Sequence, residues 1–333
     1  MNELNLKIVN DSVCAIVVTY NRTNMLLECL DSLRKQTQPV DALYIIDNAS
    51  TDGTQQSLFD AEYITELPPS NMIKPWGQSS NIHNLVDKKE VTVHYVRMHE
   101  NTGGAGGFHE GVKRAYEKGY SWLWLMDDDV EPFATALETL LEHKTLANLG
   151  YLCSCVRSKD GKRSMNAHVI DDDPGPNGYP DWDEYLDRGI VKVERCSFVS
   201  LLLSKNTISV CGYPYKSFFI WGDDTEYTLR VTKKFHLSGY LVGDSKVVHK
   251  RSTASLMDIL SEKEEIRVKF FFYSYRNNMY IFRKYFSKAH VLKAFFDTSR
   301  TLILLLISRD KLKWKKIKVI VAGTVQGIVF KPR

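Results

Sequence analysis

The sequence predicts an α/β protein built on a mostly parallel sheet, and three observations carry that expectation. Runs of β-branched and apolar residues alternate with stretches whose apolar residues recur at helical spacing. The connections between them are rich in Asn, Asp, Ser and Thr, as turns and helix caps are. Finally, the apolar run Trp122, Leu123, Trp124, Leu125, Met126 empties straight into Asp127, Asp128 and Asp129, which is how a buried parallel strand looks when its carboxyl end opens into a cleft. At 333 residues, 44% hydrophobic and 25% charged, the composition is soluble and globular, long enough for one large domain with an appendage.

Taken in order, VCAIVVTY (13–20) has the composition of a central strand. The following NRTNMLLECLDSLRKQT places Met25, Leu26, Cys29, Leu30 and Leu33 at helical spacing, behind an N-cap at Thr23 or Asn24. ALYIID (42–47) is a second strand, and NASTDGT a turn leading to another helix. Strand, helix and strand imply a right-handed parallel unit with its loops on one edge, so a nucleotide would sit near Thr19, Tyr20, Asp47 and Asn48. Residues 61–90, with Pro68, Pro69, Pro75 and Gly77, carry no pattern that assigns regular structure; such a stretch in a compact domain is often a functional loop. VTVHYVRM (91–98) reads as a strand close to the sheet edge. After it, Gly103, Gly104, Gly106, Gly107 and Gly111 surround a helix start, where backbone N–H groups can approach a diphosphate.

The acidic triplet needs a partner. Three adjacent carboxylates repel by a few kcal/mol at an effective dielectric near ~20 and separations of roughly 4–6 Å, so a divalent cation or a set of donors must neutralise them. Side chains alternate along a strand, so Asp127 and Asp129 point one way and could grip one ion, with Asp128 pointing elsewhere. The alternative is an acidic loop capping the next helix, with Pro132 near its first turn. ATALETLLEHKTLAN then reads as a helix burying Leu137, Leu140, Leu141 and Leu146, and 151–158 and 193–205 as further strands. The loop between them holds Asp171, Asp172 and Asp173 among Pro and Gly, a setting for solvated turn residues. FFIWGDDTEYTLR (218–230) carries a second acidic cluster, Asp223, Asp224 and Glu226, behind Trp221. A carboxylate beside a sugar-binding aromatic can act as a general base, and the same residues would also favour a helix N-terminus. His249 ends the apolar strand in LVGDSKVVHKRS, where it is either structural or one imidazole completing a hard metal site.

The net charge of +4 is unevenly placed: residues 276–333 hold fourteen Lys or Arg against two Asp, a local +12 that leaves −8 on residues 1–275. That tail also holds LILLLI (302–307) and IKVIVAGTVQGIVF (317–330), each too short or too interrupted for a bilayer span of ~20 apolar residues. Basic and apolar together suggest a segment lying on an anionic membrane surface; the alternative is a helical pair packed on the main domain. The six Cys show neither a zinc spacing nor a disulfide framework, and the polar start at Met1 shows no secretory signal. Both point to reduced thiols in a cytoplasmic protein, which the basic tail would hold on the inner face of the cell membrane, as a peripheral protein.

Four stretches in this order resemble glycosyltransferase family 2, the inverting nucleotide-sugar transferases of GT-A fold: VVTYNR (17–22), IIDNASTDGT (45–54), LMDDDVEP (125–132) and WGDDTEYTLR (221–230). NTGGAGGF (101–108), the triple Asp, Trp221 and His249 are similar to bacterial galactofuranosyltransferases and their rhamnosyltransferase relatives; Gly222, between Trp221 and Asp223, departs from that pattern. The resemblance covers about residues 12–252 and implies a Rossmann-like mixed sheet; with the tail read from its charge and apolar runs, the chain divides into a transferase domain over 1–255 and a basic amphipathic helical tail over 256–333. The resemblance also implies Asp127, Asp129 and His249 at a Mn²⁺ or Mg²⁺ ion and Asp224 as the base beside Asp223. The donor would lie against Thr19, Tyr20, Arg22, Asp47, Asn48, Asn101, Gly103, Gly104 and Asp128, with Asp47 on the nucleotide base, and Trp221 and Glu226 would contact acceptor or sugar.

The expected activity is transfer of galactofuranose from UDP-galactofuranose to a lipid-linked glycan of a bacterial surface polysaccharide such as O-antigen. The expected partners are the nucleotide-sugar donor, that acceptor, an anionic membrane surface and, as an open option, a second copy of the chain; nucleic acid is not among them. A rhamnosyltransferase using dTDP-rhamnose is the alternative within the same chemistry. A sugar nucleotidyltransferase would call for a Gly-rich phosphate turn after the first strand, where this chain reads TYNRTN.

Overall fold

The computed structural model describes residues 11–162, 164, 167–170, 178–179, 182–250 and 258–333. Its elements in chain order are β1 (Val13–Thr19), α1 (Thr23–Arg34), β2 (Ala42–Asp47), α2 (Thr54–Asp60), β3 (Trp76–His83), β4 (Glu90–Arg97), α3 (Gly103–Lys118), β5 (Trp122–Asp127), β6 (Val130–Pro132) and α4 (Ala136–Leu141). They continue as β7 (Leu149–Ser158), β8 (Ala167–Val169), β9 (Ile190–Cys196), β10 (Leu201–Ser204), α5 (Lys205–Cys211), α6 (Asp223–Leu229), β11 (Ser238–His249), α7 (Glu265–Tyr285), α8 (Lys288–Ile307) and α9 (Lys313–Val329). The turn at Asp171–Asp173 and the 255/256 boundary lie outside the described residues.

One mixed sheet runs in the order β3-β4-β2-β1-β5-β10-β7-β11-β9-β8, with β6 paired to β11 off this path. β4, β2, β1 and β5 are parallel, and β10 turns the sheet antiparallel beside β5. This is the α/β architecture that the alternation predicts and the mixed sheet that the family resemblance implies. β1, β2 and most of β5 are buried on both faces because helices cover both faces. Val13, Ala15 and Val17 pack with Leu26, Leu30 and Leu33 of α1 and Leu137 and Leu140 of α4. Cys14, Ile16 and Val18, pointing the other way, pack with Phe108, Val112 and Ala115 of α3.

The glycines of α3 have a different use from the one the sequence suggests. A Cβ at Gly107 would stand 2.4 Å from Val18, and one at Gly111 2.5 Å from Ile16, so these two let the helix lie directly on the sheet. Two other expectations also change. Residues 76–83, without a readable pattern, form the edge strand β3. Its inward positions include Gln78 and Ser80, which bond the 63–66 segment instead of packing on a core, so hydrophobic alternation is missing. The helix after Pro132 is only α4, which ends at Leu141; that residue and Leu146, in the turns beyond it, are both part-buried.

The C-terminal helices pack on the domain and on each other. α9 approaches α7 so closely that a Cβ at Gly323 would stand 2.6 Å from the Phe272 carbonyl oxygen, and one at Gly327 2.6 Å from that of Arg276. Not all the basic residues of this region are solvated: Lys316 is fully buried and bonds Asp310 and the Leu260 carbonyl. Among the described residues no helix is long and apolar enough to cross a membrane. All six cysteines are free thiols, five of them buried.

Candidate functional site

The site lies at the carboxyl ends of β1, β2 and β5. β5 stops at Asp127, and Asp128 and Asp129 form the turn into β6. The antiparallel pairing of β6 with β11 sets His249 opposite Val130, and the Lys250 N–H bonds the Asp129 carbonyl at 2.8 Å. The result brings Asp127, Asp129 and His249 together, each offering one ligand atom within 4.8 Å of the others. His249 Nε2 is 3.1 Å from Asp129 Oδ1. Asp128 points away, accepting from Thr19 Oγ1 at 2.7 Å and Arg22 Nη1 at 3.1 Å, and the same Arg22 nitrogen reaches Asp129 Oδ2 at 2.9 Å.

Electrostatically the turn is crowded. Burial, then Asp129 and Asp128, push Asp127 up to about 7, against the opposing pull of His249 and Arg22. Burial pushes Asp128 up to about 6, with Arg22 and Thr19 pulling down. Two carboxylates and one imidazole around a common point are a donor set suited to a divalent cation of the Mn²⁺ or Mg²⁺ kind, whose charge would relieve that crowding. The residues present fit such an ion.

The nucleotide-side residues divide into two groups. Tyr20 and the Arg22 side chain are about half exposed, and the open face of Gly104 has nothing within 4 Å of an added Cβ. The others are spent on structure. Asp47, which the resemblance puts on the nucleotide base, is fully buried and accepts from Ser50 N and Tyr95 Oη at 2.8 Å and from Arg97 Nη1 at 2.7 Å, so it holds the loop from within and presents no surface to a ligand. Asn48 donates to Asn101 Oδ1 at 3.1 Å and the Gly103 carbonyl at 2.9 Å, and accepts from Thr102. With Asn101 it ties the β2 loop to the start of α3. Gly103 is closed off too: at φ +72°, its Cβ would fall 1.9 Å from the Phe219 carbonyl oxygen.

The second acidic cluster opens α6. Asp223 is buried; burial, then Asp224 and also Asp127 of the triplet, hold its carboxyl well above the ordinary range. Asp224 is half-buried, accepts from Thr225 N at 2.6 Å, and is raised chiefly by burial. Trp221, at φ +62°, stands edge-on to Phe271 with ring centroids 5.3 Å apart. Glu226 is a correction: its side chain is 0% exposed and locked to Arg230, with Tyr285 Oη donating at 2.6 Å, so it cannot contact a sugar. Two residues after Asp224, about 200° further round α6, it points at Arg230 and Tyr285.

Sequence reasoning did not single out Arg97, Tyr95 or Tyr285. Arg97 had a readable signal: it ends β4 in register with Asp47, an acid and a base closing neighbouring parallel strands.

Residues 14–65 and 79–188 match the model described as glycosyl transferase family 2. Over 243 residues the chain is 28% identical to galactofuranosyltransferase GlfT1 of Mycobacterium tuberculosis, covering 68% of this chain and 66% of that one. Over 235 residues it is 26% identical to galactofuranosyltransferase GlfT1 of Mycolicibacterium smegmatis, covering 66% and 65%. The match thus spans just under two thirds of the length of these relatives. Among solved structures, the fold is similar to that of GalNAc-T7 with UDP, GalNAc and Mn²⁺, at TM-score 0.57 and 12% identity, covering 94% of this chain and 54% of that one.

Proposed function

Since the chain belongs to glycosyltransferase family 2, we propose that it moves galactofuranose from UDP-galactofuranose, with inversion, to a lipid-linked glycan of a bacterial surface polysaccharide. The observation that carries the reading is the convergence of Asp127, Asp129 and His249 within 4.8 Å of one another, with Asp223 in electrostatic reach of Asp127. Inverting transfer needs charge stabilisation on the leaving diphosphate and a base on the attacking hydroxyl, on opposite sides of one anomeric carbon. A bound Mn²⁺ or Mg²⁺ would supply the first as a Lewis acid. Asp127, Asp129 and His249 would hold it, Arg22 and Asp128 would brace the turn, and Asp224 would take the acceptor proton. The two galactofuranosyltransferase relatives support the donor sugar, and the UDP and Mn²⁺ bound to GalNAc-T7 support the nucleotide and ion.

The test is a panel of UDP- and dTDP-sugars incubated with the purified chain and Mn²⁺. UDP release should be fastest from UDP-galactofuranose; preferential turnover of dTDP-rhamnose would replace the donor, and turnover of none would overturn the reading. Substituting Asp129→Ala should weaken Mn²⁺-dependent UDP binding by at least the ~10–100-fold that loss of an outer-shell partner costs a metal site. Titration calorimetry with and without Mn²⁺ measures it, and equal affinity in variant and wild type would remove the proposed ion from this cleft.

An anionic membrane surface is the proposed site of work. α8 and α9 expose Leu292, Phe296, Ile307, Trp314, Val325 and Val329 beside the exposed cations Lys288, Lys293, Arg300, Lys315 and Lys318, a pairing of apolar area and positive charge that suits acidic headgroups. Binding to vesicles containing phosphatidylglycerol should fall with salt and drop severalfold in Phe296→Asp with Trp314→Asp. Equal sedimentation with neutral and anionic vesicles would sink the docking surface.

A further inference from the structure

The segment just before the acidic pair is bent in a way its residues resist. Phe219 sits at φ 65°, ψ −68°, and the Ile220 N–H bonds the Phe218 carbonyl at 2.8 Å: a γ-turn of the rare, strained hand, centred on a bulky side chain. Trp221 follows at φ 62° and Gly222 at φ 91°, so three of four consecutive residues are left-handed, and only the last is a glycine. Such a conformation persists only where its surroundings over-determine it, and it tends to mark a place where geometry matters.

The surroundings come from two helices. At the start of α3, the Ala105 N–H donates to the Phe219 carbonyl at 3.1 Å, in a gap that only a glycine at 103 leaves open. From α7, Asn277 is fully buried, and its Nδ2 donates to the carbonyls of Phe218 (3.0 Å), Ile220 (3.2 Å) and Trp221 (2.8 Å). Two hydrogens shared among three acceptors gather the whole bend onto one side chain. Arg276 Nε donates to Asn277 Oδ1 at 2.9 Å, which fixes the orientation of the amide, and Arg276 Nη2 adds the Ser217 and Phe218 carbonyls at 2.7 and 3.1 Å. The Phe219 ring stacks on Tyr273 of the same helix at 4.6 Å.

We propose that Asn277 is a positioning residue: it clamps the strained 218–221 bend and so sets Trp221 and the Asp223–Asp224 pair against the Asp127, Asp129, His249 cluster. The C-terminal helices then complete the transfer site as well as carrying the outer apolar face. Only the turnover readout below rests on the proposed transfer reaction.

The experiment compares the full-length wild type with Asn277→Asp, which keeps the shape and removes both donors, and with Asn277→Ala. Hydrogen exchange of peptides spanning 217–224 should quicken by roughly tenfold or more while peptides of β1 and β2 keep their wild-type rates. With Mn²⁺ and UDP-galactofuranose, turnover should fall on the order of 10²-fold, the usual cost of an ångström of misplacement, while Mn²⁺–UDP affinity stays within about twofold. Wild-type exchange at 217–224 in both variants overturns the clamp. Exchange that rises equally in β1 makes Asn277 a general packing residue and also overturns it, as does a loosened bend with unchanged turnover. A wild type inert on UDP-galactofuranose refutes the donor sugar alone, since exchange in 217–224 still decides the clamp.

Discussion

Asp224→Asn should lower turnover by on the order of 10²–10⁴ while Mn²⁺–UDP affinity stays within about twofold of wild type, because a general base acts on the acceptor and not on donor binding. Asp223 and Asp224 share the first turn of α6 but not one environment: Asp223 is buried, and Asp224 is half-buried with one oxygen on Thr225 N. Both are shifted upward, chiefly by burial. A base must be deprotonated to work, so wild-type turnover should rise with pH through a midpoint above the ordinary carboxylate range, and Asp224→Asn should lose that limb. Unchanged turnover in Asp224→Asn, with a large loss in Asp223→Asn, would move the role one residue toward the N-terminus of α6.

The parts of the site that were legible in the sequence are those where chemistry interrupts a pattern. An apolar run that breaks into three Asp, and an apolar strand that ends on His249, announce strand ends facing a cleft, and alternation alone separates Asp127 and Asp129 from Asp128. The strand in fact stops at Asp127, yet the turn into β6 keeps the same grouping: Thr19 holds one oxygen of Asp128, while Arg22 bonds Asp128 and Asp129 alike. Less legible were polar residues whose partners are main-chain carbonyls. Asn277 and Arg276 fall in the basic, apolar tail that suggests a membrane surface, and no periodicity distinguishes an amide aimed at carbonyls from one aimed at water. The glycines misled for a related reason: a missing side chain signals close approach but not what approaches, and in α3 it is Val18 and Ile16 at two positions and the Phe219 carbonyl at a third. Glu226 shared its segment with the acidic pair, and only the helical turn shows it pointing inward.

Glu226→Ala should destabilise the fold by about 3–5 kcal/mol, because it leaves the Arg230 guanidinium buried without its counter-charge. The pair is bidentate, Nε to Oε1 at 3.2 Å and Nη2 to Oε2 at 2.5 Å, with side chains 3% and 0% exposed. Burial works against the charge on Arg230, and Glu226, with smaller help from Tyr215 and Tyr227, raises it on balance. The guanidinium would keep the Cys211 and Tyr213 carbonyls and the face of Tyr215, 3.9 Å away, but each of these is neutral. The Tyr285 hydroxyl, which donates to Glu226 from the end of α7, would lose its acceptor as well, so the damage would reach the seam between α6 and the C-terminal helices. Calorimetry should record a Tm lower by roughly 5–15 °C. Glu226→Gln, which retains an acceptor of similar shape, should lose less than the alanine variant. A Tm equal to wild type, with KM for donor or acceptor raised, would mean that Glu226 reaches the sugar after all and that α6 opens further than its buried pair implies.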